Sequence, residues 1–85
     1  MITENAEPTT VGEMLSEEFL QPLAMSLYEF SSLTGITVNR IEDIIKHRHG
    51  INKHEGLLLS KFFHTDDDFW INLQKAHDVW RHKAL

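Results

Sequence analysis

The chain has 85 residues, too few for more than one sizeable hydrophobic core, and its 41% hydrophobic and 25% charged residues are ordinary for a globular domain. It contains no Cys, which excludes a disulfide framework, a thiolate metal site and a cysteine nucleophile. No apolar run approaches the ~20 residues of a membrane span. The opening MITENAEPTT has two acids, no base and no apolar block, so it does not read as a secretory signal, and a cytoplasmic protein is expected.

The formal charge of −5 hides a partition. Residues 1–35 hold six acids and no Lys or Arg, whereas residues 36–63 hold five bases, three acids and three of the six His. Residues 64–85 return to a slight excess of acid, four against three bases. Bases gathered on one surface bind polyanions even when the whole chain is acidic, because the local field matters more than the sum.

Residues 1–8 are polar and aperiodic and read as a disordered arm; residues 9–85 read as a single domain. Strand signals are absent, with no sustained period-2 alternation and no Asn-Gly or Asp-Gly turn. Helix starts are well marked. Thr10-Val-Gly-Glu13, Ser26-Leu-Tyr-Glu29 and Thr65-Asp-Asp-Asp68 fit the capping box, Asn52-Lys-His-Glu55 is a close variant, and Thr37 follows Gly35 as a further cap.

These starts predict a first helix over about 11–21 with Val11, Met14, Leu15 and Phe19 on one face and Pro22 discouraging continuation. A second helix over 27–34 is closed by Gly35 in a left-handed conformation. The third runs over about 38–46, with Val38, Ile41, Ile44 and Ile45 apolar, and the fourth over 53–63. The fifth starts after Thr65, and its central apolar stripe is Phe69, Leu73, Ala76 and Trp80, flanked by Trp70 and His77.

The second and third helices are short and separated by Gly35-Ile36-Thr37, the plan of a helix-turn-helix. The first turn of the third helix, Val38-Asn39-Arg40, projects outward, as a helix reading the major groove would present it. Lys46, His47, Arg48, His49 and Lys53 follow where phosphates would be held. The same spacing also occurs in small helical bundles that bind no nucleic acid, and the spacing by itself leaves both readings open.

The chain resembles the HigA-type antitoxins within the phage-repressor-like helix-turn-helix regulators. The resemblance covers about residues 8–82: PTTVGEMLSEEFLQPL is similar to the family's opening Pro-Gly-x-x-Leu-x-x-Glu-Phe helix, MSLYEFSSLTGITVNRIEDIIKHRHGIN to its helix-turn-helix, and the FWINLQ of LLLSKFFHTDDDFWINLQKAHDVW to its Phe-Trp-x-Asn-Leu-Gln hallmark. It implies an all-α, five-helix lambda-repressor-like domain. It also implies a DNA-binding antitoxin that neutralises an mRNA-cleaving, ribosome-dependent toxin and represses its own operon as a dimer on an inverted repeat. By the same resemblance Ser26 and Tyr28 open the positioning helix, Thr37, Val38, Asn39 and Arg40 open the recognition helix, and Asp43 lies one turn on. The sequence departs from the family pattern at Ser31, Thr34, His47 and Gly56.

Arg40 has two readings: a bidentate guanine reader, or a surface partner of an acid such as Asp43. Asn39 is suited to adenine or to a phosphate, and Glu42 and Asp43 to a cytosine amino group or to orienting Arg40. His47, His49 and His54 include a His-x-His spacing, but no third ligand is fixed nearby, so no metal is expected. Asp66, Asp67 and Asp68 are explained by capping. No nucleophile–base pair and no Gly-rich phosphate loop is present, so neither an enzyme nor a cofactor is expected. The wide apolar side of the fifth helix, with Ile71 and Leu85 adding apolar area on the opposite side, suggests a homodimer contact through Trp70, Ile71 and Trp80. A toxin that cleaves RNA is expected to be basic, which points to Glu13, Glu17 and Glu18 as its docking face. A repressor of the same fold without a toxin, and a protein-binding adaptor that has lost DNA, are the competing functions.

Overall fold

Local hydrogen bonding divides the chain. Thr10 is extended (φ −79, ψ 161); its hydroxyl accepts the Glu13 amide at 3.1 Å while the Glu13 carboxylate accepts the Thr10 amide at 3.1 Å. This box opens α1 (Val11–Glu13), which passes without a break into a π-helical stretch, Met14–Leu20. The computed structural model, which describes residues 7–47 and 49–84, thus places π winding where the sequence predicts one α-helix. Bonds such as Gln21 amide to Ser16 carbonyl at 3.0 Å span five residues, and the wider turn brings Leu15 and Leu20, also five apart, onto one buried side. Beyond it the chain turns through Ala24, a non-glycine residue at φ 53.

The other helices are α2 (Leu27–Thr34), α3 (Val38–Ile45), α4 (Lys53–Phe63) and α5 (Phe69–Ala84). Ser26 and Asn52 cap α2 and α4 in complete capping boxes, and the Thr37 hydroxyl accepts the Arg40 amide at 3.2 Å to cap α3. Gly35 ends α2 at φ 82, a conformation that strains any residue with a Cβ.

The expected cap at Thr65 does not form. Residue His64 ends α4 in a left-handed conformation (φ 58, ψ 39), and the Thr65 amide goes back to the Ser60 carbonyl at 3.0 Å. The aspartates then make a turn, with the Phe69 amide on the Asp66 carbonyl at 3.0 Å, and α5 begins at Phe69 instead of just after Thr65.

Among the described residues every regular element is helical. The core combines Val11, Leu15, Leu20, Phe30, Ile36, Ile41, Ile44, Leu59 and Trp70, all buried. Aromatic rings fill its centre: Phe30 stacks on Phe63 at 5.6 Å, and Phe19 lies 5.1 Å from Trp70. The buried face of α5 is centred on Trp70 (0% exposed) and His77 (7%), not on the expected stripe, where Ala76 is exposed and Phe69, Leu73 and Trp80 are half-buried. The wheel identified the apolar arc, but the ring cluster decides which edge turns inward. No helix of the described residues is long and apolar enough to cross a membrane.

Residues 1–6 of the expected disordered arm lie outside the described residues. Glu7, from the same stretch, places its carboxylate 2.6 Å from His77 Nε2.

Candidate nucleic-acid interface

The turn between α2 and α3 is fastened from inside. Thr34, a departure from the family pattern, donates its hydroxyl to the Phe30 carbonyl at 2.8 Å and accepts the Ile36 amide at 3.2 Å. One side chain therefore satisfies the last turn of α2 and the first amide beyond Gly35. Ile36 and Ile41 are buried and hold α3 against α2; of the first turn expected to project outward, Asn39 is exposed, whereas Val38 and Arg40 are half-buried.

The exposed edge is formed by Ser26, Tyr28, Thr37 and Asn39, with Lys53 exposed at the start of α4. Tyr28 is 75% exposed, a large side chain with nothing covering it. Val38 and Asp43 are half-buried. Ser26 and Thr37 use their hydroxyls as helix caps, which leaves each hydroxyl proton available for another acceptor. Lys46 is exposed and pairs with Glu42 at 2.9 Å, a hydrogen bond that raises its pKa. Such an exposed i,i+4 pair is weak and leaves the ammonium free to exchange partners. Arg48 lies outside the described residues.

Arg40 pairs with an acid, as the second of its two readings has it, but the acid is Glu55. Its Nε donates to Glu55 Oε2 and its NH2 to Glu55 Oε1, each at 2.7 Å, and NH2 also donates to the Gly50 carbonyl at 2.7 Å. The guanidinium thus faces the start of α4 rather than an incoming base, and its hydrogen-bonded partner is Glu55, not Asp43. These bonds hold the Glu55 carboxyl below the usual carboxylate value, against the opposing effect of partial burial, and raise the Arg40 pKa. Sequence reading missed Glu55 because the contact spans fifteen residues. The one signal was Asn52-x-x-Glu55, which fixes a carboxylate at the end of α4 nearest α3.

The other candidate surfaces also change. Trp70 is 0% exposed within the single chain, so it belongs to the core and is unavailable to a second subunit; its Nε1 has no hydrogen-bond partner among the described atoms. Ile71 is half-buried against Gly56, and Trp80 is half-buried with its ring 5.4 Å from His77. Glu13 is exposed but its carboxylate serves the Thr10 cap, whereas Glu17 and Glu18 are exposed. The rings of His47 and His49 lie 6.1 Å apart, and among the described residues no group of three or more His, Cys, Asp or Glu is placed to hold a metal ion.

No family description matches the chain. An uncharacterised helix-turn-helix transcriptional regulator of Haemophilus influenzae is 35% identical over 74 residues, covering 87% of this chain and 69% of that protein. The solved structure of an addiction-module antidote protein of the HigA family from Coxiella burnetii is 34% identical, with a TM-score of 0.80 over 89% of this chain and 83% of that one. The chain belongs to the HigA family of helix-turn-helix proteins. A further HigA-family structure, the Pseudomonas aeruginosa antitoxin HigA with the higBA promoter, superimposes with a TM-score of 0.86 at 27% identity, covering 92% of this chain and 85% of that one. The α2–turn–α3 unit described above is therefore the helix-turn-helix of a HigA-type regulator.

Proposed function

We propose that this HigA-family chain binds operator DNA as a dimer, represses its own operon and neutralises an mRNA-cleaving toxin, acting as a cytoplasmic regulator without enzymatic activity. The observation that carries the DNA reading is α3: capped at Thr37, anchored by Ile36 and Ile41, and presenting Asn39 beside the exposed Tyr28 and Lys46. The Pseudomonas relative, solved with its promoter, supports it. Asn39 reads or positions on the DNA, while Ser26, Tyr28, Thr37, Lys46 and Lys53 contact the backbone, with Arg48 assigned to phosphates as well.

One short helix reads too few base pairs for a unique site, so two copies place their α3 helices in successive major grooves about 34 Å apart. Ile71 and Trp80 remain the dimer candidates on α5, and Val79, 54% exposed, adds apolar area to the same helix. Titration of the DNA upstream of the coding sequence, read by anisotropy at several salt concentrations, tests this. Selective binding to an inverted repeat, with affinity falling as salt rises, is expected. Equal affinity for operator and random DNA would overturn it.

We place the toxin surface on the exposed carboxylates Glu17 and Glu18, in a stretch, residues 1–35, that holds no Lys or Arg, and expect toxin-bound protein still to bind operator. Glu13 is left out of the test because replacing it would break the α1 cap. A Glu17→Lys, Glu18→Lys variant should keep its fold and operator binding and associate more slowly with the co-expressed toxin at low salt. An unchanged association rate would sink this assignment. The second reading, a repressor without a toxin, is equally compatible with the Haemophilus relative, a helix-turn-helix transcriptional regulator. Absence of any co-purifying protein encoded by the adjacent gene would favour it.

A further inference from the structure

Three segments meet at one carboxylate. Arg40 comes from the first turn of α3, Gly50 from the loop that leaves α3, and Glu55 from the first turn of α4. Glu55 Oε1 accepts both Arg40 NH2 at 2.7 Å and the Asn52 amide at 3.0 Å, while Oε2 takes Arg40 Nε at 2.7 Å. The same NH2 reaches on to the Gly50 carbonyl at 2.7 Å. A planar guanidinium satisfies this fork and the third acceptor together; an ammonium cannot reproduce it. The pair is also shielded, with side chains only 30% and 13% exposed, unlike Lys46 and Glu42 at 60% and 34%.

The loop between α3 and α4 is tied elsewhere too. The His49 amide goes to the Asp43 carbonyl at 3.0 Å, and the Ile51 amide to Gln74 Oε1 on α5 at 3.0 Å. The Gln74 amide group lies where a Cβ on Gly50 would sit, so the loop passes close over α5. Residues 49–51 of the loop are therefore held at several points, although the side chains of Lys46, His47 and His49 are exposed. A loop fixed before binding loses less conformational entropy on meeting a phosphate backbone than a loose one.

We propose that Arg40 and Glu55 are positioning residues of the DNA interface: Glu55 draws the Arg40 guanidinium inward, the guanidinium holds the Gly50 carbonyl, and the loop is thereby fixed in the shape that sets its basic residues against phosphates. Base reading on α3 falls to Asn39 and its exposed neighbours. This rests on the DNA-binding reading above, and it sets aside the guanine-reading role, one of the two that the sequence offers Arg40.

The experiment compares Arg40→Lys, Arg40→Ala, Glu55→Gln and the Arg40→Ala, Glu55→Gln double variant with wild type, each at a temperature where it is folded. Operator affinity, base preference at every operator position and amide exchange of His47, His49, Gly50 and Ile51 without DNA are measured. Each single variant should weaken operator binding about five- to tenfold, the worth of one side chain's lost order. Base preference should stay unchanged and loop exchange should quicken. The double variant should be no weaker than the worse single one, because both singles break one contact. Tighter binding by Glu55→Gln, with a flattened preference at one base pair in Arg40→Ala, would overturn the proposal and make Glu55 a competitor that withholds a base-reading arginine. Unchanged affinity and unchanged loop exchange despite a lower Tm would reduce the pair to a stabilising contact. If wild type fails to select its operator, the DNA reading fails by itself, while loop exchange still shows whether the pair fixes the loop.

Discussion

Two helix contacts in this molecule each depend on a glycine, and they depend on it differently. At the crossing of α1 and α3, a Cβ on Gly12 would overlap the Ile44 carbonyl oxygen and sit 2.9 Å from the Ile45 Cα. At the packing of α4 and α5, a Cβ on Gly56 would instead meet the Ile71 side chain, 2.6 Å from Cγ1 and 3.3 Å from Cδ1. The first contact is backbone against backbone and has no torsion to relieve it. The second is backbone against a side chain that can rotate. The half of the molecule that sets the recognition helix against the core is therefore rigid in a way that the α4–α5 half is not.

The largest effect should follow from breaking the rigid half. Gly12→Ala forces α1 and α3 apart, and overpacking of this kind costs about 1–3 kcal/mol, with the upper end expected where only backbone can yield. The helix-propensity gain of about 1 kcal/mol for Ala over Gly cannot offset a displaced helix. Thermal unfolding should show a clear drop in Tm, and operator affinity should fall with it because α3 moves. A variant as stable as wild type would mean that the α1–α3 crossing adjusts easily, and the contrast between the two halves would disappear.

That contrast was only partly legible in the sequence. Local signals served well: Thr10, Ser26, Thr37 and Asn52 cap where the pattern places them, because a cap is decided within four residues. Thr65 has the same pattern and fails, since the left-handed turn at His64 has already committed its amide to Ser60. Gly12 looks like any helical glycine until Ile44, thirty-two positions on, is laid across it. Gly56, in the sequence only a departure from the family pattern, is the seat of Ile71. Of the turn Val38-Asn39-Arg40 that the sequence turns outward, Asn39 is exposed while Val38 and Arg40 are half-buried. The inward pull on Arg40 was not legible, because it depends on where the loop brings Glu55. The π winding of Met14–Leu20 had no sequence signal beyond the five-residue spacing of Leu15 and Leu20.

A smaller effect should come from the charge pair that joins α3 to α4. The Glu55 carboxyl is held below its usual value by the Arg40 hydrogen bonds, so its contribution is fully present above the ordinary carboxylate value and is lost as pH falls through the lowered folded-state value. The raised Arg40 value places the corresponding loss of guanidinium charge only at strongly alkaline pH. Glu55→Gln should thus be less stable than wild type by about 1–2 kcal/mol at neutral pH, the scale of a partly shielded charged hydrogen bond. The deficit should shrink as the solution is acidified through that window. A deficit of constant size down to strong acid would show that lost packing, not lost charge, is responsible.

The smallest effect should come from filling the adjustable contact. Gly56→Ala gains about 1 kcal/mol in helix propensity, and an Ile71 side chain pushed off its preferred rotamer gives back about 0.5–1.5 kcal/mol. The two effects nearly cancel, so stability should stay within about 1 kcal/mol of wild type, whereas Gly12→Ala does not. Pairing the substitution with Ile71→Ala sharpens the point. Ile71→Ala removes both Cγ1 and Cδ1, the two Ile71 atoms that the new methyl meets, so Gly56→Ala should be more favourable in the Ile71→Ala background than in wild type. A double-mutant cycle built from denaturant unfolding measures this coupling directly, and residues in contact typically give about 0.5–3 kcal/mol. Strict additivity would show that the new methyl never meets Ile71, so that α4 and α5 separate as bodies and the second half of the molecule yields at its backbone after all.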